Sequence, residues 1–196
     1  MYSFTELWAM DLIQHIESKI KLNAGECAVI NAAFKKEFYP KGTNLVQPDN
    51  RSPKIYFVEE GLIRLYYINR DGKDITHFFF GENNFTMSVE NVYFNNPDPY
   101  GREVLEDSTL RIIHYKEFTD LFDKITAFRT FSFLVTIDML KRFSDRLFSL
   151  QFQTAEQRYK IFTDNYPNIL LRAPLGHIAS YLGITQQTLS VIRGKK

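Results

Sequence analysis

The spacing of apolar residues changes period along this chain, and each change marks a different kind of element. Between Leu7 and Ile20, the apolar Leu12, Ile16 and Ile20 stand four residues apart, the stripe of an amphipathic helix. A second helical segment, GECAVINAAF, runs up to Lys35 and Lys36, and Pro40 and Gly42 close the helical region. From there to about residue 116 the pattern becomes one of short β-rich runs separated by turn residues. In KIYFVEEGLIRLYYINRDGKDITHFFF, the runs GLIRLYYI and KDITHFFF flank NRDG, whose Asp71-Gly72 pair is a strong hairpin signal. QPDNRSP and NNPDPYG supply further turns. Short strands with regular turns and no helices between them predict an antiparallel roll or barrel rather than a parallel sheet.

After Tyr115 the strand pattern stops and a long helix is predicted over about residues 128–152. Phe133, Ile137, Leu140, Ser144, Leu147 and Gln151 alternate spacings of four and three, a heptad-like seam, while Phe131, Val135, Met139, Phe143 and Leu150 add a second apolar side. A helix of that length spans ~37 Å, more than one small roll can cover. Phe133, Ile137, Leu140 and Leu147 are therefore expected to pack on a second copy of the chain. Thr154 with Gln157 has the form of a capping box, so a new helix is expected from there to Tyr166, before Pro167. QFQT then acts as a hinge, dividing residues 1–152, a sensor roll with its long helix, from an all-helical unit at 153–196.

The chain closes with HIASYLGITQQTLSVIRGKK. A helix-turn-helix needs a small residue where its helices cross, a sharp turn between them and an apolar anchor on the second helix. Ala179, Gly183 and Leu189 take those places, Thr185 can N-cap the second helix, and Ile192 joins Leu189 on its inner side. Gln186, Gln187, Ser190 and Arg193, with Thr188 nearby, are left on the open side. Gln pairs with adenine, Ser and Thr with base edges or phosphate, and Arg and Lys with phosphate. The candidate DNA contacts are Thr185, Gln186, Gln187, Thr188, Ser190, Arg193, Lys195 and Lys196. A packed helical hairpin with a solvated polar face is the alternative.

Net charge over 196 residues is only +1, but residues 172–196 hold Arg172, Arg193, Lys195 and Lys196 and no carboxylate, so the remainder sums to −3. A polyanion contact is expected at that end. One copy offers few phosphate contacts, and a dimer doubles them. The single cysteine, Cys27, excludes an internal disulfide and a four-thiolate iron–sulfur centre. The acidic Glu6 and Asp11 argue against a signal peptide, and no run approaches the ~20 apolar residues of a membrane span, so a cytoplasmic protein without membrane association is expected.

Roll, long helix and helix-turn-helix in that order resemble the Crp/Fnr family of transcription regulators over nearly the whole chain. KIYFVEEGLIRLYYINRDGKDIT is similar to the family's strand–glycine–strand signature, Gly81-Glu82 to its Gly-Glu pair, LEDSTLRIIHY to its last roll strand, and HIASYLGITQQTLSVIR to its winged-helix recognition segment. The resemblance implies an α+β fold: an antiparallel β-roll of the jelly-roll type with N-terminal helices, a long dimerisation helix and a C-terminal winged-helix-type helix-turn-helix. It also implies a homodimeric regulator of double-stranded DNA whose roll senses a small-molecule effector. In relatives that bind cyclic AMP, the Glu of the Gly-Glu pair holds the ribose, and an Arg with a following small residue holds the phosphate. Here the latter place reads Pro99-Tyr100, with Arg102 three residues past Pro99 and on the opposite strand face. Gly81, Glu82, Tyr100 and Arg102 are the candidate effector-pocket residues. Cyclic AMP is not expected in the usual mode, the effector is open, and Phe78, Phe80, Phe85 and Tyr100 are expected to fill part of the cavity.

His15, His77, His114 and His177 show no metal-type spacing, so no metal or cofactor is expected, although haem ligation through His77 or His114 stays open. His77 reads as a histidine at the edge of the core, on one strand face with Ile75 and Phe79. Glu59-Glu60 and Glu106-Asp107 read as solvated turn charges. No phosphate loop, nucleophile elbow or paired carboxylates mark an enzyme. The other functional class in view is a roll that binds small molecules or proteins and carries structural C-terminal helices.

Overall fold

The computed structural model describes residues 10–194, so Leu7–Ala9 of the first predicted helix and the candidate contacts Lys195 and Lys196 lie outside it. Two helices lead in: α1 (Leu12–Glu17), capped by Asp11, and α2 (Ala24–Ala33), capped by Asn23, each with a reciprocal capping box. The strands follow as β1 (Lys35–Tyr39), β2 (Asn44–Val46), β3 (Lys54–Glu60), β4 (Ile63–Ile68), β5 (Asp74–Phe80) and β6 (Phe85–Met87). A one-and-a-half-turn helix, α3 (Val89–Phe94), then precedes β7 (Gly101–Val104) and β8 (Ser108–His114). The roll is thus not purely strands and turns: Ser88 accepts a hydrogen bond from the Asn91 N–H and starts α3 where no helix was expected.

Two antiparallel four-stranded sheets result, in the orders β1-β8-β3-β6 and β2-β7-β4-β5. The β4–β5 turn forms at NRDG as predicted: Asn69 Oδ1 accepts from the N–H groups of Asp71 and Lys73, and Gly72 takes φ 75°. Strand parity explains the unbroken apolar runs. In β3, Ile55 and Phe57 face a core shared with Leu12, Ile16, Phe34 and Phe128, while Tyr56 and Val58 face a second core between the sheets, with Leu65, Phe78 and Leu110. Phe79 in β5 points to a third core, made with the C-terminal helices.

Beyond the roll come α4 (Tyr115–Lys124) and the long α5 (Thr126–Phe152) of 27 residues. Its two apolar sides part company. Phe131, fully buried, and Val135 pack on the helical core and Met139 on the core between the sheets, whereas Phe133, Ile137, Leu140 and Leu147 are 44–62% exposed in the single chain. The remaining helices are α6 (Ala155–Asn165), capped by Thr154 with Gln157 in the predicted box, α7 (Ile169–Arg172), α8 (Leu175–Leu182) and α9 (Gln186–Gly194). No strand occurs among the described residues beyond β8, so no β-wing is seen there.

Candidate nucleic-acid interface and its coupling to the roll

Helices α8 and α9 meet as the sequence predicts. Gly183 takes the left-handed conformation (φ 66°, ψ 37°) that an L side chain adopts only with strain, and its N–H caps the Ala179 and Ser180 carbonyls. Ala179 is buried at the crossing, and Leu189 and Ile192 hold α9 against α8. Thr185 Oγ1 accepts from the Thr188 N–H at 3.1 Å, and the two hydroxyls are 2.9 Å apart, so both Thr side chains serve the cap. Gln187, Ser190 and Arg193 lie exposed on the outer side of α9. Gln186 is exposed too, but its amide lies over Gly176, where a Cβ would sit 2.5 Å from Nε2.

What the sequence did not reveal is how firmly this head is docked on the roll. β5 is an edge strand, and an uncovered edge leaves N–H groups unsatisfied. α8 covers it: Ser180 Oγ accepts from the Thr76 N–H at 2.9 Å. Beside it, the buried Arg64 donates to Asp74 at 2.9 and 3.0 Å, to Glu103 at 3.1 Å, and to His177 Nδ1 at 2.8 Å. Accepting that bond requires Nδ1 unprotonated. Burial, then the adjacent Arg64 charge, pushes the His177 pKa below its ordinary value against the opposing pull of Asp74 and Glu103.

A second ionic cluster sits at α7. Arg172 donates to both oxygens of Glu82, at 2.9 and 2.7 Å, and from Nε to Glu106 at 3.0 Å. Burial alone would raise the Glu82 pKa, but Arg172 and the N–H groups of Glu82 and Gly61 outweigh it and hold the carboxyl below its usual range. Arg172, counted in the sequence among charges free for a polyanion, is therefore spent inside the molecule. The long helix grips the head as well. Arg146 of α5 lies 3.7 Å over the Tyr181 ring and donates to the Tyr181 carbonyl, while Arg158 of α6 donates to the Leu182 carbonyl at 2.8 Å. Both cations meet the negative end of α8. None of Arg64, Arg146 or Ser180 carried a local signal in the sequence.

The four candidate effector-pocket residues are not brought together. Glu82 is held by Arg172, and Gly81 next to it is not among the residues lining the cleft between the roll and α5. Arg102 is buried beneath Thr86 and bound to Asp98. Tyr100 stacks on His77 at 5.0 Å. The parity expectation for Arg102 is not met: opposite Leu65 in the β4–β7 register, it points between the sheets, where the Thr86 hydroxyl, the Met87 carbonyl and Asp98 take its donors. The cavity lies instead between the roll and α5, a cleft of about 290 Å³ that Phe80 and Phe85 help to line.

Other expectations are corrected too. Glu59 is no solvated turn charge: it is buried and bound by Lys36 at 2.7 Å and Arg111 at 2.8 Å. Glu106 binds Arg172, and Asp107 accepts from the Lys41 N–H at 2.9 Å. His77 does not simply share a face with Phe79. The β4–β5 register slips between Leu65 and Tyr66, leaving His77 as the extra residue, turned towards Tyr100 and Phe143. No group of three or more metal-ligating side chains occurs among the described residues. No described helix is long and apolar enough to cross a membrane.

Comparison with known proteins places this geometry. Residues 36–125 match the cyclic nucleotide-binding domain family. No curated protein matches the chain. Among solved structures, FixK2 from Bradyrhizobium japonicum is similar with a TM-score of 0.73 at 18% identity, over 83% of each chain. The c-di-GMP responsive global regulator CLP from Xanthomonas campestris aligns with a TM-score of 0.69 at 15% identity, over 88% of this chain and 91% of that one. A CooA mutant from Carboxydothermus hydrogenoformans aligns with a TM-score of 0.68 at 19% identity, over 95% of this chain and 84% of that one. At these identities the likeness is one of fold. Residues 36–125 carry a cyclic nucleotide-binding-type roll, and most of the chain has the fold of these structures.

Proposed function

We propose that this protein is a homodimeric DNA-binding transcription regulator, not an enzyme, and that its roll does not take cyclic AMP in the usual way. The observation that carries the reading is α9: Leu189 and Ile192 anchor it on α8, while Gln187, Ser190 and Arg193 stand exposed on its outer side. That is the arrangement of a helix entering a major groove, with Gln187 reaching a base edge and Arg193 a phosphate. The exposed seam of Phe133, Ile137, Leu140 and Leu147 supports pairing of two copies, which would present two heads to half-sites about one helical turn apart. Regulation follows from the contacts between units. Arg146 ties α5 to α8, and Arg172 and Arg64 tie the head to the roll, so a change in the roll's grip on α5 reaches both heads.

The test is selection of duplexes by the full-length protein, followed by titration at several salt concentrations. The expected result is sequence-specific binding, two chains per duplex, that weakens steeply with salt. Absence of sequence-specific binding would leave a roll that binds small molecules or proteins, with structural C-terminal helices.

A further inference from the structure

We propose that the ligand this roll senses, held in the cleft between the roll and α5, is a small, uncharged, predominantly apolar molecule of up to about two rings in size. This rests on the reading of the chain as a ligand-responsive regulator and names the chemistry of its signal. The cleft holds about 290 Å³, roughly twice the engineered apolar cavity that accepts benzene. Protein interiors close almost all voids larger than water, so a space of this size beneath α3 and α5 is under-packed without an occupant.

The lining decides the ligand class. Leu65 and Phe80 come from the sheet, Met87 from β6, Tyr93 from α3, and Val135 and Met139 from α5; among the described residues lining the cleft, none is charged. Its polar groups are chiefly hydroxyls, those of Thr86, Ser132 and Thr136 among them. The cations beside it are already bound. Arg102 lies behind Thr86, whose hydroxyl accepts from its Nε at 3.2 Å, and Asp98 neutralises it, while Arg142, beyond the Phe80 ring, donates to Asn84. A phosphate or carboxylate entering here would lose its hydration without gaining a free cation, whereas an aromatic or aliphatic molecule would lose only water contacts.

The position of the cleft also gives the ligand a lever. Val89 and Tyr93 of α3 and Leu140 of α5 line it yet remain exposed, and Leu140 belongs to the seam. A bound molecule would clamp α3 to α5 next to the surface where a second copy packs.

The test uses the full-length protein without DNA and the uncharged fluorophore N-phenyl-1-naphthylamine. Expected are saturable binding of one probe per chain with blue-shifted emission, no displacement by cyclic AMP, and slowed hydrogen exchange over residues 89–94 and the first half of α5. Filling the cleft with Ser132→Phe, or independently Val135→Trp, is expected to weaken the probe by at least ~10-fold. Hydrogen exchange on the unaltered chain keeps the proposal testable should either variant misfold. Unsaturable binding, displacement by cyclic AMP, protection elsewhere, or equal binding by folded filled variants would each overturn it. So would binding seen only in the monomerising variant Leu147→Glu, which would mark the cleft as a helix-packing surface. A chain that binds the probe but no DNA keeps this site and loses the regulator reading; the reverse result does the opposite.

Discussion

Replacing Arg172 by Met would remove the cation on which Glu82 and Glu106 converge while keeping most of the side chain's length. Breaking a fully buried ion pair by removing one partner costs ~3–5 kcal/mol, because a carboxylate is left desolvated and unpaired. Here the three side chains are 22–31% exposed, so water recovers part of that loss, and Glu82 keeps its bond from the Gly61 N–H. A destabilisation of about 2 kcal/mol follows, a fall in Tm of roughly 4–8 °C for a chain of this length. The pH dependence is specific. The lowered Glu82 pKa stabilises the folded state above the ordinary carboxylate range, and that contribution is lost as pH falls through the folded value. The deficit of R172M should therefore be largest at neutral pH and shrink below about pH 4.5. Urea unfolding at pH 7 and pH 4 measures it, and a double-mutant cycle with Glu82→Gln should return a coupling of at least ~1 kcal/mol. Hydrogen exchange should rise over α7–α9. A variant within ~0.5 kcal/mol of the parent at pH 7, or a deficit that ignores pH, would refute the claim that this cluster holds the head to the roll.

Leu147→Glu places a charge on the exposed seam, so light scattering should find monomers with unchanged helix content, and the salt slope of DNA binding should fall by about half. Arg193→Ala, on an exposed side chain, should leave Tm unchanged and reduce that slope by about two for a dimer, one phosphate contact per copy. Gly183→Ala forces an L residue to φ 66° and brings its Cβ 3.4 Å from Leu150, a loss of about 1 kcal/mol readable as a lower Tm and frayed exchange in α9. His15 is buried against Phe57, and burial, then the Lys19 charge, lowers its pKa to about 4. The unfolded chain therefore takes up a proton first, so stability should fall by ~3 kcal/mol as pH drops from 6.5 to about 4, and His15→Leu should flatten that slope in urea titrations.

Much of the fold is legible in the sequence because its determinants are local. The four-residue spacing of Leu12 and Ile16, the NRDG turn, the Thr154–Gln157 box and the Gly183 turn each encode their element within a few residues. Where local signals are weak, the sequence falls short. KKEFY of β1 is largely exposed and shows no alternation, so it becomes a strand only because β8 pairs with it. The exposed apolar stripe on α5 is written in the heptad spacing, since exposure on one side of a helix needs only its period.

The site divides along the same line. By itself the sequence determined the main helices, the β4–β5 hairpin, their order and the outward residues of α9. Only the tertiary structure decided that Glu82 answers Arg172, 90 positions away, that Arg64 reaches His177 across 113, and that Arg102 is taken up by Asp98 and Thr86 behind the cleft. Period and caps are short-range free energies that each segment expresses alone. The partner of a buried charge depends on which strand lies at an edge and which helix covers it, and those are settled only when distant segments compete for the same surface.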